Sequence, residues 1–336
     1  MMKFDVIGVG CLTVDIFAES SVLIVEFKKA KKETFIALPE GKMLSQIIVR
    51  TGGSSGNTVA YLSKLGLRCG YFTKLGTDYF SDFLIEDLKS FGVDVSRIIR
   101  VKGLEAGKSI IVSSLGFKDT ALLVDHGAAD KLTKKDIEEN LDYLLSTKWL
   151  DISSFTSKEA IEAIEFLVKK AKKENVKIFF APSRTMISTF RKDALKLMRY
   201  ADAFSMNERE AALLSGKDNL ADMLKFFKKM KIPYFFVTRS AKGLVCFYKN
   251  KFYKIGAYRV REVKNTTGAG DIVAAWLIYG LIKKMDVKDI MNFASVAGAF
   301  HVKKDYIGAK DGLASYHEIK RFLDRVRNLP VRTLRV

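Results

Sequence analysis

The sequence predicts an α/β fold, a parallel sheet with helices on both faces and a small β-sheet lid. Three observations carry that expectation. Short β-rich runs alternate with amphipathic helical stretches over most of the 336 residues, the pattern of strand-helix-strand units. Two stretches, about 13–50 and about 98–117, break the rhythm with alternating or β-branched runs and no helix between them. No repeat, low-complexity tract or proline-rich linker divides the chain, which has four prolines. Residues 1–336 are therefore expected to form a single domain, with the lid strands inserted at those two places.

Phe4 to Val9 reads as the first strand. Ser54 and Ser55 are candidate caps for a helix from Asn57 to Leu65, which Gly66 stops. A strand from Cys69 to Thr73 precedes a helix from Asp78 to Ser90, ended by Gly92. Thr156-Ser157-Lys158-Glu159 has the form of a capping box and opens a helix to about Glu174, followed by a buried strand from Val176 to Phe180. A helix from Asn219 to Met230 leads into a strand from Tyr234 to Thr238. Leu244 to Tyr248 and Phe252 to Ile255 form a hairpin turning at Lys249-Asn250. Three helices follow, about Ala269 to Lys284, Val287 to His301 and Ser315 to Arg327. In the irregular stretches, Ser21 to Phe27, Gln46 to Arg50 and Ser109 to Ser114 read as strands, suited to a lid or an edge-pairing surface.

Composition bounds the function. With 48% hydrophobic and 28% charged residues the chain has material for a large core, which excludes disorder and fibrous classes. Lys and Arg number 57 against 38 Asp and Glu, a net charge of +19. That balance suits a polyanion, whether nucleic acid, membrane headgroups or a phosphorylated small molecule, and equally a solvated lysine-rich surface. Lys169-Lys170, Lys172-Lys173 and Lys228-Lys229 fall late in helical stretches, where they complement the helix dipole, so solvated faces are the reading and nucleic acid is not expected. Arg325, Arg327, Arg332 and Arg335 read as a frayed basic terminus. Cys11, Cys69 and Cys246 lack CxxC spacing, which indicates neither a disulfide framework nor a zinc site. His126, His301 and His317 show no ligand spacing and read as surface or partly buried residues. No run reaches the roughly 18 apolar residues of a membrane span. Asp5 stands where a signal peptide would turn apolar, so a cytoplasmic protein with no membrane partner is expected.

The glycine clusters divide into decoys and candidate sites. Gly8-Val9-Gly10 follows the first strand as in a dinucleotide fingerprint, but Thr13 holds the third glycine position and the next residues look extended. Gly107-Lys108-Ser109 imitates the end of a P-loop, but Gly103 is one residue too close and Ser109-Ile110-Ile111-Val112 begins a strand where a helix is required. Asn265-Thr266-Thr267-Gly268-Ala269-Gly270-Asp271 instead opens a strongly apolar helix. Its small residues let backbone N–H groups converge at the positive helix end, which suits a transferring phosphoryl group. Asp271, in the first turn, is placed to take the proton of an attacking hydroxyl. The alternative is a glycine turn whose Asp merely serves the helix dipole. Gly52-Gly53-Ser54-Ser55-Gly56-Asn57 leads into another helix, with glycines that admit a ligand to the backbone and an Asn that both donates and accepts.

With these two motifs the chain resembles, over essentially its whole length, the ribokinase-like (phosphofructokinase-B type) family of carbohydrate and nucleoside kinases. That family carries Gly-Gly-x-x-x-Asn before a helix closing in Leu-Gly, here Leu65-Gly66, and later Asp-Thr-x-Gly-Ala-Gly-Asp, here with Asn265 for the first Asp. The resemblance implies a three-layer α/β/α sandwich with a β lid. It implies ATP- and Mg2+-dependent transfer to an alcohol, with Asp271 as general base and Gly268, Ala269 and Gly270 as anion hole. Substrate contacts are implied for Asp15, at the family's first-strand aspartate, and for Gly52, Gly53, Asn57 and Arg184. Nucleotide contacts are implied for Asn207, Thr238, Ser240, Gly243, Thr267 and Ser295, with Glu210 reaching magnesium through water and adenine lying against the helix Asn292 to Ala299. There are departures. Asn265 stands at a carboxylate associated with a monovalent cation, which leaves potassium use open. Trp276 takes a place of smaller residues, Ala181-Pro182-Ser183-Arg184 stands for Asp-Pro-Asn-x-Arg, and Ser295 for an Asn. None touches Asp271 or the glycines before it.

Two functions from different classes follow. One is a kinase that phosphorylates a sugar or sugar-like polyol, with a nucleoside as the alternative acceptor. The other is a kinase-shaped binding or regulatory protein, against which the presence of Asp271 argues. The resemblance also implies pairing of lid strands between two copies into a homodimer.

Overall fold

The computed structural model describes residues 3–20, 24–28, 33–37, 46–114, 120–263, 266–303, 309–310, 313–325, 329–334 and 336. Asn265, Arg327, Arg335 and the first three residues of the strand expected at Ser21 to Phe27 lie outside the described residues. The strands are β1 (Phe4–Val9), β2 (Thr13–Ser20), β3 (Ile24–Lys28), β4 (Glu33–Ala37), β5 (Gln46–Gly52), β6 (Cys69–Phe72), β7 (Lys74–Leu75), β8 (Ile99–Arg100), β9 (Gly107–Ser114), β10 (Thr120–Asp125), β11 (Thr147–Ile152), β12 (Lys177–Phe180), β13 (Ala203–Asn207), β14 (Tyr234–Thr238), β15 (Leu244–Tyr248), β16 (Lys251–Ile255) and β17 (Arg332–Leu334). The helices are α1 (Ser54–Lys64), α2 (Tyr79–Ser90), α3 (Lys134–Glu138), α4 (Leu141–Leu144), α5 (Lys158–Lys173), α6 (Arg184–Thr189), α7 (Arg191–Met198), α8 (Glu208–Ser215), α9 (Leu220–Lys229), α10 (Ala269–Ile282), α11 (Val287–Val302) and α12 (Tyr316–Arg325).

A nine-stranded sheet runs in the order β17-β16-β15-β14-β13-β12-β11-β1-β6. From β6 through β14 the pairs are parallel, and from β14 to β17 they are antiparallel. Successive strand residues go to opposite faces: Ile178 and Phe180 join one core and Phe179 the other, and Phe235 and Phe236 divide in the same way. One helical layer brings Ile164, Leu197, Leu214 and Phe227 from α5, α7, α8 and α9. The other brings Tyr61, Leu88, Trp276 and Met291 from α1, α2, α10 and α11. The α/β/α sandwich is therefore as expected. Trp276 is accommodated fully buried because its indole N–H donates to Tyr61 at 3.0 Å and Tyr61 donates to the Ala314 carbonyl at 2.7 Å.

A second, four-stranded sheet has the order β10-β9-β2-β5 and places Asp15 opposite both Arg50 and Ser109. Its strand β10 lies past the expected limit near residue 117. Leu122, Leu123 and Val124 are contiguous rather than alternating, so the run carries no period-two signal and pairing with β9 decides its state.

Three local expectations are corrected. Helix α1 begins at Ser54 with Gly53 as its N-cap, because the Ser54 and Ser55 hydroxyls donate to Asp271 and Asp151 instead of capping helix amides. Ser157, not Thr156, caps α5 by accepting from the Ala160 N–H, while Thr156 donates to Asp130. The C-terminus is not frayed at Arg332, which pairs with Lys254 where β17 covers an otherwise open edge of β16. The hairpin turns at Lys249 and Asn250 as expected, both with left-handed φ, 45° and 62°.

Candidate active site

The parallel strands β1, β11, β12 and β13 deliver Gly10, Ser153, Ala181 and Asn207 to one edge of the sheet, the carboxyl edge at which open α/β sheets form their crevices. Helix α10 starts there. Gly268 has φ 77°, and a Cβ on it would come within 2.3 Å of the Ala309 Cβ, so only glycine allows this turn to pack against residue 309. The Ala269 N–H turns back to the Thr266 carbonyl at 3.2 Å. The following first-turn amides, Gly270 and Asp271, are ones a helix start leaves without an intrahelical acceptor. Among the described residues a Cβ on Gly270 would meet nothing within 4 Å, so open space borders this residue. Of the amides expected to form an anion hole, that of Ala269 is thus engaged within the turn.

Asp271 is gripped on both oxygens. Ser54 donates to Oδ1 at 2.6 Å and the Asn57 amide to Oδ2 at 2.7 Å, both from the first turn of α1. Withdrawal from water pushes Asp271 up to about 6 against those two bonds; the charge of Asp15 adds to the rise and Lys310 opposes it. The clamp fixes the carboxylate while leaving lone pairs for a ligand hydroxyl. Asn57 Oδ1 is buried without a hydrogen-bond partner among the described residues, an acceptor that a ligand hydroxyl would satisfy.

Asp15 reaches the same place from β2. Thr13 donates to its Oδ1 at 2.8 Å and Ser109 at 2.6 Å, and burial nevertheless raises its pKa. Gly52 lies beside it: a Cβ there would stand 2.0 Å from Asp15 Oδ2, so the carboxylate held by Thr13 and Ser109 would have to shift. Gly53, with φ 103°, would place a Cβ 2.3 Å from the Cys11 carbonyl, so glycine lets α1 approach the β1–β2 turn.

On the other side, Asn207 and Glu210 form a reciprocal capping box at the start of α8, each accepting the other's backbone N–H at 2.9 Å. Burial raises Glu210 to about 7; the charge of Asp271 adds to this and Arg184 opposes it. Arg184, expected on the substrate, is thus set electrostatically against Glu210, and the Asn207 side chain is occupied by the cap. Of the remaining expected nucleotide residues, Gly243 and Ser295 meet at Gly256. A Cβ on Gly243 would come within 2.0 Å of the Ile255 carbonyl and 2.6 Å of Gly256, while Ser295 donates to the Gly256 carbonyl at 3.1 Å. Thr238 ends β14, Ser240 follows it with φ 48°, and Arg239 between them pairs with Glu208 of α8 at 2.9 Å. The Thr267 carbonyl lies 2.6 Å from His301 Nε2.

Several site residues gave no signal in the sequence. Lys310 is buried, donates to Thr51 Oγ1 at 2.9 Å and pairs with Asp87. Asp151, 2% exposed, accepts from Ser55 at 3.0 Å and is pushed up to about 8 by burial, with the charge of Asp271 adding to the rise. His301, expected to be at the surface or partly buried, is 7% exposed and lies against the α10 turn.

Among the described residues no three His, Cys, Asp or Glu form a metal cage. The charge of Asp271 reaches Glu210, and the Glu210 carboxylate fits a hard cation carried mainly by water and phosphate oxygens, as Mg2+ is. Among the described residues no helix is long and apolar enough to cross a membrane.

Comparison with known proteins adds to this geometry. The pattern of a family described as pfkB family carbohydrate kinase matches residues 24–310. A 5-dehydro-2-deoxygluconokinase of Clostridium tetani (strain Massachusetts / E88) is 26% identical over 291 residues, 81% of this chain and 83% of the relative. An Escherichia coli chain, described provisionally as Ribokinase II and solved in complex with ATP and Mg2+, superposes with a TM-score of 0.78 at 21% identity, covering 96% of this chain and 100% of that one. Adenosine kinase from Sinorhizobium meliloti also gives 0.78 at 21% identity, over 96% of this chain and 99% of that one. At these identities the two structures establish the shared ribokinase-like fold.

Proposed function

Because the chain belongs to the pfkB family of carbohydrate kinases, we propose that it transfers the γ-phosphate of ATP to a hydroxyl of a sugar or sugar-like polyol, with Asp271 as the general base. The observation that carries this reading is the clamp on Asp271 by Ser54 and Asn57 beside the open start of α10. Above about pH 6 the ionised Asp271 takes the acceptor's hydroxyl proton as the new O–P bond forms and the bond to the β-phosphate bridging oxygen breaks, leaving ADP. The Gly270 and Asp271 amides receive charge on the transferring group. Glu210 would hold Mg2+ through its water shell, and the ion, when bound, would supply neutralisation of phosphate charge. Asp15, Gly53 and Asn57 orient the acceptor, and Gly243 and Ser295 border the nucleotide.

The four-stranded sheet serves as a lid that keeps water, a competing acceptor, from the phosphate. Ile16 is in register with Val49 and Ile110, and Ile110 with Leu123, so these side chains share one face of that sheet. Val49 is 40%, Ile110 42% and Leu123 66% exposed, an apolar surface that fits a second copy of the chain. Light scattering at working concentration is expected to give a dimer, and a monomer contradicts that assignment.

The acceptor panel tests the function: ADP formation from ATP and Mg2+ with sugars, polyols and nucleosides. A sugar or polyol is expected to be consumed. Turnover of nucleosides alone would move the acceptor class, and ADP from no acceptor would overturn the kinase reading.

A further inference from the structure

We infer that Lys310 is a positioning residue for the transfer, its buried ammonium the counter-charge shared by Asp15 and Asp271, the two carboxylates of the acceptor side. The inference rests on the kinase reading of that site. Lys310 is 7% exposed and follows Ala309, the residue against which Gly268 packs, so it is anchored to the turn that starts α10. Its ammonium has three donors. One goes to Thr51 Oγ1 at 2.9 Å and one to Asp87 of α2. Thr51 immediately precedes Gly52, the glycine that makes room for the Asp15 carboxylate, so the ammonium approaches the acceptor side from the root of β5.

Among the described residues Asp87 is the acidic group bonded to this lysine, and the charges of Asp15 and Asp271 also reach it. The charge of Lys310 favours the ionised forms of Asp15 and Asp271, and both carboxylates in turn favour the charged lysine against its burial. The other groups around Asp271 do not do this work for both. Ser54, Asn57 and Thr58 of α1 are neutral donors, and Glu210 of α8 and Asp151 of β11 are acidic. Arg184 of α6 acts on Glu210, and His301 of α11 is bonded to the Thr267 carbonyl. Burial raises both carboxylates and the charge of Asp15 raises Asp271 further, so a counter-charge that reaches both favours their ionised forms near neutrality.

Lys310→Met alone strands Asp87 and is expected to destabilise the fold, so the double variant Lys310→Met/Asp87→Asn carries the test, with Lys310→Arg as the conservative control. Three quantities are read: the thermal midpoint, the titration midpoint of the Asp271 carboxyl by carbon NMR, and the pH profile of kcat/KM with the acceptor found in the panel. The double variant is expected to melt close to the wild type, with the Asp271 midpoint and the acid limb of kcat/KM moved up by about one pH unit. At pH 6 this reads as a loss of about fivefold in kcat/KM, and Lys310→Arg is expected to restore the wild-type limb. An unmoved midpoint with full turnover in the double variant would overturn the inference, leaving Lys310 as a partner for Asp87 alone. A moved midpoint in a protein whose wild type turns over no acceptor would support the charge relation while overturning the kinase reading.

Discussion

Replacing Ser54 by Ala removes the 2.6 Å hydrogen bond to Asp271 Oδ1 and leaves the 2.7 Å bond from Asn57. A hydrogen bond to a charged group contributes about 1.5–3 kcal/mol. Water recovers part of that, so a net loss of about 1.4 kcal/mol, one pKa unit, is the working figure. The bond favours the ionised carboxylate, and its loss therefore moves the base upward, from about 6 towards about 7. The ionised fraction at pH 6 then drops from roughly one half to roughly one tenth, a loss of about fivefold in kcat/KM, while at pH 7 the loss is about twofold and above pH 8.5 it vanishes. ADP release measured from pH 5 to 9 for wild type and Ser54→Ala reads this directly. A plateau lowered equally at every pH, with the limb unmoved, would refute the reasoning and place Ser54 on the acceptor or the phosphoryl group instead of on the base.

Three further outcomes are expected. Asp151 has a folded pKa of about 8 against an ordinary 3.8, so the stability it contributes is present at low pH and is lost as pH rises through about 8. Asp151→Asn, neutral throughout, is expected to melt roughly 3–6 °C above the wild type at pH 8.5 and close to it at pH 4, and equal melting at both would contradict the account. Gly52→Ala drives a Cβ into the Asp15 carboxylate, so acceptor KM should rise about tenfold with ATP KM unchanged. Gly243→Ala, at φ 87° and against the Ile255 carbonyl, should show the reverse split, with ATP KM raised and acceptor KM retained. Steady-state kinetics with each substrate varied checks both.

The sandwich was legible in the sequence because α5 and α9 carry strong helical periodicity and strands such as β12 and β14 are short buried runs bounded by turn residues. The candidate residues Asp271, Gly52, Gly53 and Asn57 stand out for a different reason: left-handed φ and close packing at Gly53 and Gly268 favour glycine, and such constraints print themselves as motifs. Lys310 printed nothing. It is one of 57 basic residues, most of them on solvated faces, and its partners Asp87 and Thr51 are distant in sequence, so only the fold distinguishes it from the surface lysines. Ser54 and Ser55 are candidate caps by sequence because serine is preferred at helix N-caps. Their oxygens went instead to Asp271 and Asp151, across tertiary contacts that local spacing does not encode. Asn207 and Glu210 show the converse: an Asn-x-x-Glu spacing read for its chemistry is also a capping box.

The central claim is that Asp271 takes the acceptor proton. Single-turnover transfer of the γ-phosphate to the accepted alcohol by Asp271→Asn, with ATP affinity measured alongside, tests it most directly. The rate is expected to fall by about 10²–10⁴ with ATP still bound. A rate equal to that of the wild type would contradict it.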